Sequence, residues 1–461
     1  MTTTNDSHHP MYSVGTRYPR NALLAGVLIA LAANVATAQD DDADTPIDEV
    51  EVFATPLGNT IDEIGQGVTV LQGDALSRQL ANTIGETLAL QPGVTASDFG
   101  AGASRPVVRG LAGPRVRVQE DGISTLDVST ISVDHAVALE PLIIERVEIL
   151  RGPATLAYGS GAVGGVVNTI SERLPDSLTD GVDGRFQITG NTVADERYLA
   201  LGLNGSAGNI AWHVDGMGRD AGNYEIPGVA IILEDFEEEQ PDGFVQNSDL
   251  ESSSWGAGLG WVGERAYLSF AVSGFDTNYG LPTLEEEEEE EGEEGGEEEE
   301  EGPIRLDLEQ TRFDFKGGIQ PQSGFISQIE VRGAYNDYAH IEFEGDETGT
   351  TFDNEAFEGR IDITHAPIGD WEGAFGLQVE LREFSAIGAE AFVPPTETTA
   401  FGLYLIEELD LDEWFFSIGG RVETQEQDPE SGESVDDTAF SLSASAIRRL
   451  ANSHRLGLTL S

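Results

Sequence analysis

From about residue 180 onward the chain alternates between apolar and polar positions in blocks separated by polar loops. In Ala374-Phe375-Gly376-Leu377-Gln378-Val379-Glu380-Leu381-Arg382 the residues Phe375, Leu377, Val379 and Leu381 share one face. Gly376, Gln378, Glu380 and Arg382 share the other. The same dyad recurs in residues 198–204, 266–272, 414–422 and 455–460. Each block is long enough for a strand, and together they predict a large antiparallel sheet. A membrane barrel wetted by lipid outside and by water or a plug inside produces this pattern, and so does a soluble sandwich with one wet face.

Upstream the texture differs. Residues 57–178 read as one α/β unit. Val68-Thr69-Val70-Leu71 predicts a strand, Gly73-Asp74-Ala75-Leu76 a helix start with Asp74 placed to cap it, and residues 83–90 a short helix ending before Pro92-Gly93. Further short strands are expected at Pro106-Val107-Val108-Arg109, Val116-Arg117-Val118 and Val147-Glu148-Ile149-Leu150. Gly159-Ser160-Gly161-Ala162-Val163-Gly164 spells a dinucleotide-binding turn. The β-like Gly165-Val166-Val167-Asn168-Thr169-Ile170 that follows lacks the helix such a turn requires, which removes that reading.

The amino terminus reads as an export signal. Arg17 and Arg20 precede an apolar run over residues 22–33, and Ala36-Thr37-Ala38 supplies a small-residue cleavage site. Residues 1–38 are thus expected to be a signal peptide. Residues 39–56 are acidic and then alternate through Glu49-Val50-Glu51-Val52-Phe53-Ala54-Thr55. This is either an exposed strand to which a partner adds its own, or the first strand of the next domain.

Composition narrows the function. The 461 residues carry 24 basic and 84 acidic side chains, a formal net charge of −60, so phosphate backbones are repelled and nucleic acid is excluded as a partner. There is no cysteine, which excludes disulfide scaffolds, thiolate metal sites and cysteine nucleophiles. No catalytic constellation or resident cofactor motif emerges, and the protein is not expected to be an enzyme. Much of the charge lies in residues 285–301, glutamate throughout from Glu285 to Glu301 except Gly292, Gly295 and Gly296. So repulsive a stretch belongs in a solvated surface loop, either as a loose collector of cations or as a low-complexity insertion without a specific role.

Two segments carry a family resemblance. Val107-Val108-Arg109-Gly110-Leu111 with Arg117-Val118-Gln119-Glu120-Asp121-Gly122-Ile123 is the first. Ile144-Glu145-Arg146-Val147-Glu148-Ile149-Leu150-Arg151-Gly152-Pro153, continuing through Tyr158-Gly159 to Gly164-Gly165-Val166-Val167-Asn168, is the second. Together they closely resemble the plug domain of TonB-dependent outer-membrane receptors. The resemblance implies an α/β plug inside a transmembrane antiparallel β-barrel of 22 strands, in the outer membrane of a Gram-negative bacterium. It also places residues 48–55 where the TonB box lies, so that Glu49, Val50, Glu51 and Val52 would dock TonB. Residues 179–461 would form the barrel. Beyond residue 180, at roughly 25 residues per strand and loop, about eleven strands are expected. An open half barrel leaves strand edges in lipid, and the chain stops inside an alternating run. The sequence is therefore expected to be the amino-terminal part of a longer receptor.

Candidate cargo ligands are few. Outside the export segment the histidines are His135, His213, His340, His365 and His454. Asp134-His135 in the plug offers an oxygen and an imidazole nitrogen suited to zinc or another borderline divalent ion, although such pairs are more often loop hydrogen bonds. In Tyr338-Ala339-His340-Ile341-Glu342-Phe343-Glu344, alternation puts His340, Glu342 and Glu344 on one face, which a polar barrel lumen would also explain. With the charged loop between residues 284 and 303, these features resemble the zinc-uptake branch of the family. In that branch a plug Asp-His pair and a barrel carboxylate contribute to the metal site. Here the implied ligands are Asp134, His135, His340 and Glu342. The loop differs from the branch in having glutamate and no histidine, which leaves open zinc or a harder cation. The alternatives are uptake of an iron chelate, haem or cobalamin, and a surface binding protein or adhesin.

Overall fold

The structure is a computed structural model, and it describes residues 52–65, 67–230, 242–282, 302–345, 347–389, 391–450 and 454–461. The export signal, Glu49, Val50, Glu51 and the tract from Glu285 to Glu301 lie outside the described residues.

The plug contains β1 (Thr69–Gln72), β2 (Val94–Ala96), β3 (Pro106–Val108), β4 (Val116–Glu120), β5 (Ile123–Ser124), β6 (Arg146–Leu150) and β7 (Gly165–Ile170). Five of them form one sheet in the order β1-β6-β7-β4-β5, in which only β4 and β7 run parallel. Its apolar face holds Leu71, Val147, Ile149 and Val167, packed on Leu88, Val94 and Val108. Burial of these branched side chains supplies the driving force for a sheet whose strands are too short to be stable alone.

Helix α1 (Gly73–Ser77) packs on β1 at the sheet's edge, and α2 (Ile84–Leu88) packs on β2 and β3. The cap of α2 is Thr83, whose hydroxyl accepts the N–H of Glu86. For α1 the expectation is corrected. Gln72 holds the cap position and Asp74 lies inside the first turn, where a carboxylate meets the positive end of the helix dipole. Residues 165–170 are β7, as their β-branched content requires, and no helix follows the glycine-rich turn.

The expected strand over residues 48–55 is also corrected from Val52 onward. Val52 to Thr55 make a turn, closed when Val52 N–H donates to Asn59 O at 2.8 Å, and Val52 and Ala54 are buried. Burial of Val52 and Ala54 beside the distant Tyr158 and Leu150 outweighs the alternation.

Around the plug stand β8 (Val182–Asn191), β9 (Glu196–Ala207) and β10 (Ile210–Ala221), then the small hairpin of β11 (Glu225–Val229) and β12 (Asp242–Phe244). The wall continues with β13 (Leu250–Val262), β14 (Ala266–Gly280), β15 (Ile304–Ile319), β16 (Ile326–Glu344) and β17 (Glu347–Ile368). It ends with β18 (Trp371–Gly388), β19 (Thr396–Leu411), β20 (Trp414–Pro429), β21 (Val435–Leu450) and β22 (His454–Leu460). All but the hairpin form one 13-stranded antiparallel sheet in which β8 and β22 stand at the two ends of the order. The expectation of about eleven strands was too low because the turns at one end are tight: β9 ends at Ala207 and β10 begins at Ile210, and β19 ends at Leu411 with β20 starting at Trp414.

Alternation along the wall is as the sequence implies. Phe375, Leu377 and Leu381 are exposed on the outer face, joined by Phe401, Leu403 and Leu405 of β19, while Gln378 is buried against the plug. An outward apolar band with a polar lumen is the arrangement lipid imposes on a spanning sheet.

Charged bonds join plug and wall. Arg117 pairs with Glu358 at 2.9 Å, Arg173 with Asp215 at 2.8 Å, and Arg312 donates to Ser124 O at 2.8 Å.

Candidate metal centre

Three donor side chains converge where the plug's upper loop meets the wall. His135 lies in the loop after β5, and both its backbone neighbours are pinned by one phenol: Tyr279 donates to Asp134 O at 2.8 Å and accepts Ala136 N–H at 2.9 Å. His340 and Glu342 lie two apart on β16 and therefore point the same way, into the lumen. The donor atoms of His135, His340 and Glu342 all lie within 4.8 Å of one another, and this is the one such group of three among the described residues.

The hydrogen bonds around them define which atoms are available. His135 Nδ1 is 3.1 Å from Val128 O, so Nδ1–H donates to that carbonyl and leaves a lone pair on Nε2. That lone pair faces Glu342 Oε1 at 3.0 Å. Two acceptors at this distance need a positive charge between them, either a proton or a metal cation. His340 Nδ1 lies 3.3 Å from the Tyr338 hydroxyl. Its Nε2 is buried without a hydrogen-bond partner, 3.7 Å from the same Glu342 oxygen. A buried imidazole nitrogen left unpaired is costly unless something binds it.

The walls of the site are aromatic. The His135 and His340 rings are 4.5 Å apart and nearly perpendicular, and Phe352 covers both, at 4.9 Å and 5.1 Å. Both imidazoles are 0% exposed and Glu342 only 4%. Burial opposes a charged His135, but the hydrogen bonds to Glu342 and the Val128 carbonyl, with the nearby negative charges of Asp134 and Glu342, outweigh it and raise the pKa above that of an ordinary histidine.

The predicted ligands are not all brought together. Asp134 does not join the group: it is partly exposed and its carboxylate accepts the Ser132 hydroxyl. The chain bends through residues 133–135, and with Tyr279 bonded to Asp134 O and Ala136 N–H the His135 ring faces the wall while the Asp134 carboxylate meets Ser132. Glu344, at the end of β16, is not in the group either. The remaining histidines have other partners or face outward: His213 bonds Asn204 and Asp215, His365 bonds Ala366 O and Glu407, and His454 is exposed. Sequence reasoning missed Tyr279, Val128 and Phe352, which carry no local signal. Tyr338 was legible, because it shares the alternating face of His340 and Glu342.

A lipid-facing sheet whose lumen holds a globular domain defines the class: an outer-membrane β-barrel with an internal plug. Residues 60–166 match the family described as TonB-dependent Receptor Plug Domain. Among curated proteins, the chain is 31% identical over 202 residues to the hemin receptor of Yersinia pestis, covering 42% of this chain and 29% of that protein. It is 29% identical over 274 residues to the vitamin B12 transporter BtuB of Photobacterium profundum, covering 57% of this chain and 42% of that protein. The chain therefore spans less than half the length of these curated relatives. Of the solved structures, the copper transporter OprC superposes with a TM-score of 0.68 at 14% identity, covering 85% of this chain and 63% of that one. The ferric citrate transporter FecA gives 0.65 at 16% identity, covering 88% and 64%. The chain thus carries a segment matching the TonB-dependent receptor plug, set in a wall that shares the fold of these plugged outer-membrane transporters.

Proposed function

We propose that the protein takes up a first-row transition-metal cation, zinc first among them, binding it between His135 of the plug and His340 and Glu342 of the wall. The observation that carries this reading is the unpartnered, buried Nε2 of His340, set beside a Glu342 oxygen that already faces a second imidazole lone pair. Two imidazole nitrogens and a carboxylate oxygen suit zinc, copper(II) or nickel, whereas calcium and magnesium prefer all-oxygen shells.

A cation so held ties a plug loop to the wall, so moving the plug takes away one ligand of three and loosens the ion. TonB would supply that movement by pairing with Glu49, Val50 and Glu51, ahead of Val52, which is buried with its N–H on Asn59 O. The glutamate tract would collect cations nearby. Its flanking strands β14 and β15 are the ones beside the site, since Leu308 pairs with His340 and Leu306 with Glu342.

A second reading, uptake of haem, cobalamin or an iron chelate, is favoured by the relatives, a hemin receptor and a vitamin B12 transporter. Against it, the buried His135, His340 and Glu342 donors leave no room among themselves for a macrocycle. Calorimetric titration of the full-length receptor with zinc, copper(II), nickel and haem separates the two. Tight binding of a bare cation, lost in His340→Ala, supports the metal reading. Tight haem binding with no measurable cation binding would replace it.

A further inference from the structure

The residues immediately after the proposed docking segment are clamped to the plug sheet by one carboxylate. Glu148, on β6, is fully buried and accepts two consecutive backbone donors, Phe53 N–H at 3.0 Å on Oε1 and Ala54 N–H at 2.8 Å on Oε2. Arg146, two residues earlier on the same strand, pairs with Oε1 at 2.8 Å and sets its guanidinium 4.6 Å from the centre of the Phe53 ring. From the other side the Tyr158 hydroxyl donates to Ala54 O. Both backbone donors of this dipeptide are thus held by Glu148 of β6, and the Ala54 carbonyl by Tyr158 of the turn that follows β6.

The clamp closes a small loop. Val52 N–H donates to Asn59 O, Thr55 donates its hydroxyl to Val52 O, and Asn59 N–H returns to the Thr55 hydroxyl at 2.9 Å. The loop is tied to the wall as well, because Asn59 donates its side-chain amide to Glu408 of β19 at 2.7 Å. A carboxylate is an unusual choice for holding main-chain donors in a core, since burying its charge is unfavourable. It is accommodated here by two N–H groups and a guanidinium, and a bond of this kind breaks as a unit when the backbone it holds is displaced.

Strand addition requires free main-chain donors and acceptors. Val52 has given its donor to Asn59, and Phe53 and Ala54 have given theirs to Glu148, so a partner strand can extend along this segment only as far as the clamp. We infer that Glu148 is a latch: it limits how much of the amino-terminal segment is open to a pairing strand, and it is the point at which a pull on that segment enters the plug sheet. Since β6 is flanked by β1 and β7, load arriving at Glu148 is shared by two hydrogen-bonded ladders of the plug sheet. This inference rests on the docking reading of Glu49 to Glu51.

The test uses the membrane-embedded receptor and three variants, Glu148→Ala, Glu148→Gln and Tyr158→Phe. Hydrogen exchange is read on the peptide containing Phe53 and Ala54, together with capture of the isolated periplasmic domain of TonB. In Glu148→Ala these amides are expected to exchange at least about tenfold faster, the mark of a lost local protection, and TonB-domain capture is expected to tighten. Glu148→Gln keeps an acceptor oxygen and falls between. Tyr158→Phe, which removes only a hydroxyl, keeps the fold and accelerates Ala54 least. Zinc affinity stays at the wild-type value in all three, because the metal centre lies on other elements. Unchanged exchange in Glu148→Ala would overturn the clamp. Faster exchange with unchanged TonB capture would overturn the latch while leaving the docking reading in place. No TonB capture by any of the proteins, wild type included, would overturn the docking reading and the latch that depends on it.

Discussion

His135 Nε2 lies 3.0 Å from Glu342 Oε1, a contact between a plug loop and a wall strand 207 positions apart. Because His135 Nδ1 is committed to the Val128 carbonyl, this is a contact between two lone pairs, and a proton or a cation must bridge it. The same oxygen is the nearest carboxylate to the unpaired His340 nitrogen.

Ligand substitutions are expected to separate donors from neighbours. His135→Ala and His340→Ala should each weaken zinc binding by about a hundredfold or more, beyond the 10–100-fold typical of outer-shell changes. Asp134→Ala should leave affinity within about threefold, because its carboxylate faces Ser132. A loss for Asp134→Ala equal to that for His135→Ala, read by calorimetry, would restore Asp134 to the coordination set.

Binding should release protons and depend on pH. The His135 pKa is raised, so the charged His135–Glu342 pair adds stability that is fully present below the ordinary histidine value of 6.5 and is lost as pH rises through the raised value. A metal ion must displace that proton. Apparent zinc affinity is therefore expected to fall as pH drops through the raised value, beginning above 6.5 rather than at it. Titrations in buffers of different ionisation enthalpy measure the proton count. Zinc affinity that stays flat from about pH 8 to pH 5.5 would contradict a histidine-based site.

Deleting residues 285–301 should act on capture and leave the tight site unchanged. Attraction by a charged tract is screened over about 8 Å at physiological ionic strength, so uptake at limiting metal is expected to slow in low salt and to match the wild type in high salt. Equilibrium zinc affinity should not move. A drop in equilibrium affinity on deletion would mean that tract glutamates coordinate the ion.

Proline at position 50 is expected to abolish uptake while preserving binding, since it removes a backbone donor from the docking segment. Val52→Pro is a less clean test, because Val52 N–H also closes the loop to Asn59. Radiometal uptake by cells carrying Val50→Pro, compared with zinc binding to the purified variant, checks this. Uptake at the wild-type rate would show that TonB docks elsewhere.

Sequence alone determined the large antiparallel sheet and which side chains of a strand share a face, because alternation has period two, and the plug resemblance chose a barrel over a soluble sandwich. Phe375, Leu377 and Leu381 could only lie on one face, and His340 and Glu342 only on the other. The plug was legible through the resemblance of residues 107–123 and 144–168 to the family's plug domain, while the partners of Arg117 and Glu148, Glu358 and the Phe53-Ala54 backbone, were not. Which residues meet across the lumen was decided by tertiary structure. Asp134 and His135 were both candidate ligands in the sequence, and only the pinning of their backbone by Tyr279, with the His135 ring held by the Val128 carbonyl, turns one toward Glu342 and the other toward Ser132. Val52 alternates like a strand residue yet is buried in a turn, because a Glu148 carboxylate and a Tyr158 hydroxyl offer the next two residues better partners than a strand edge would. Contacts between residues 100 or 200 positions apart leave no period in the chain, so packing alone could select them.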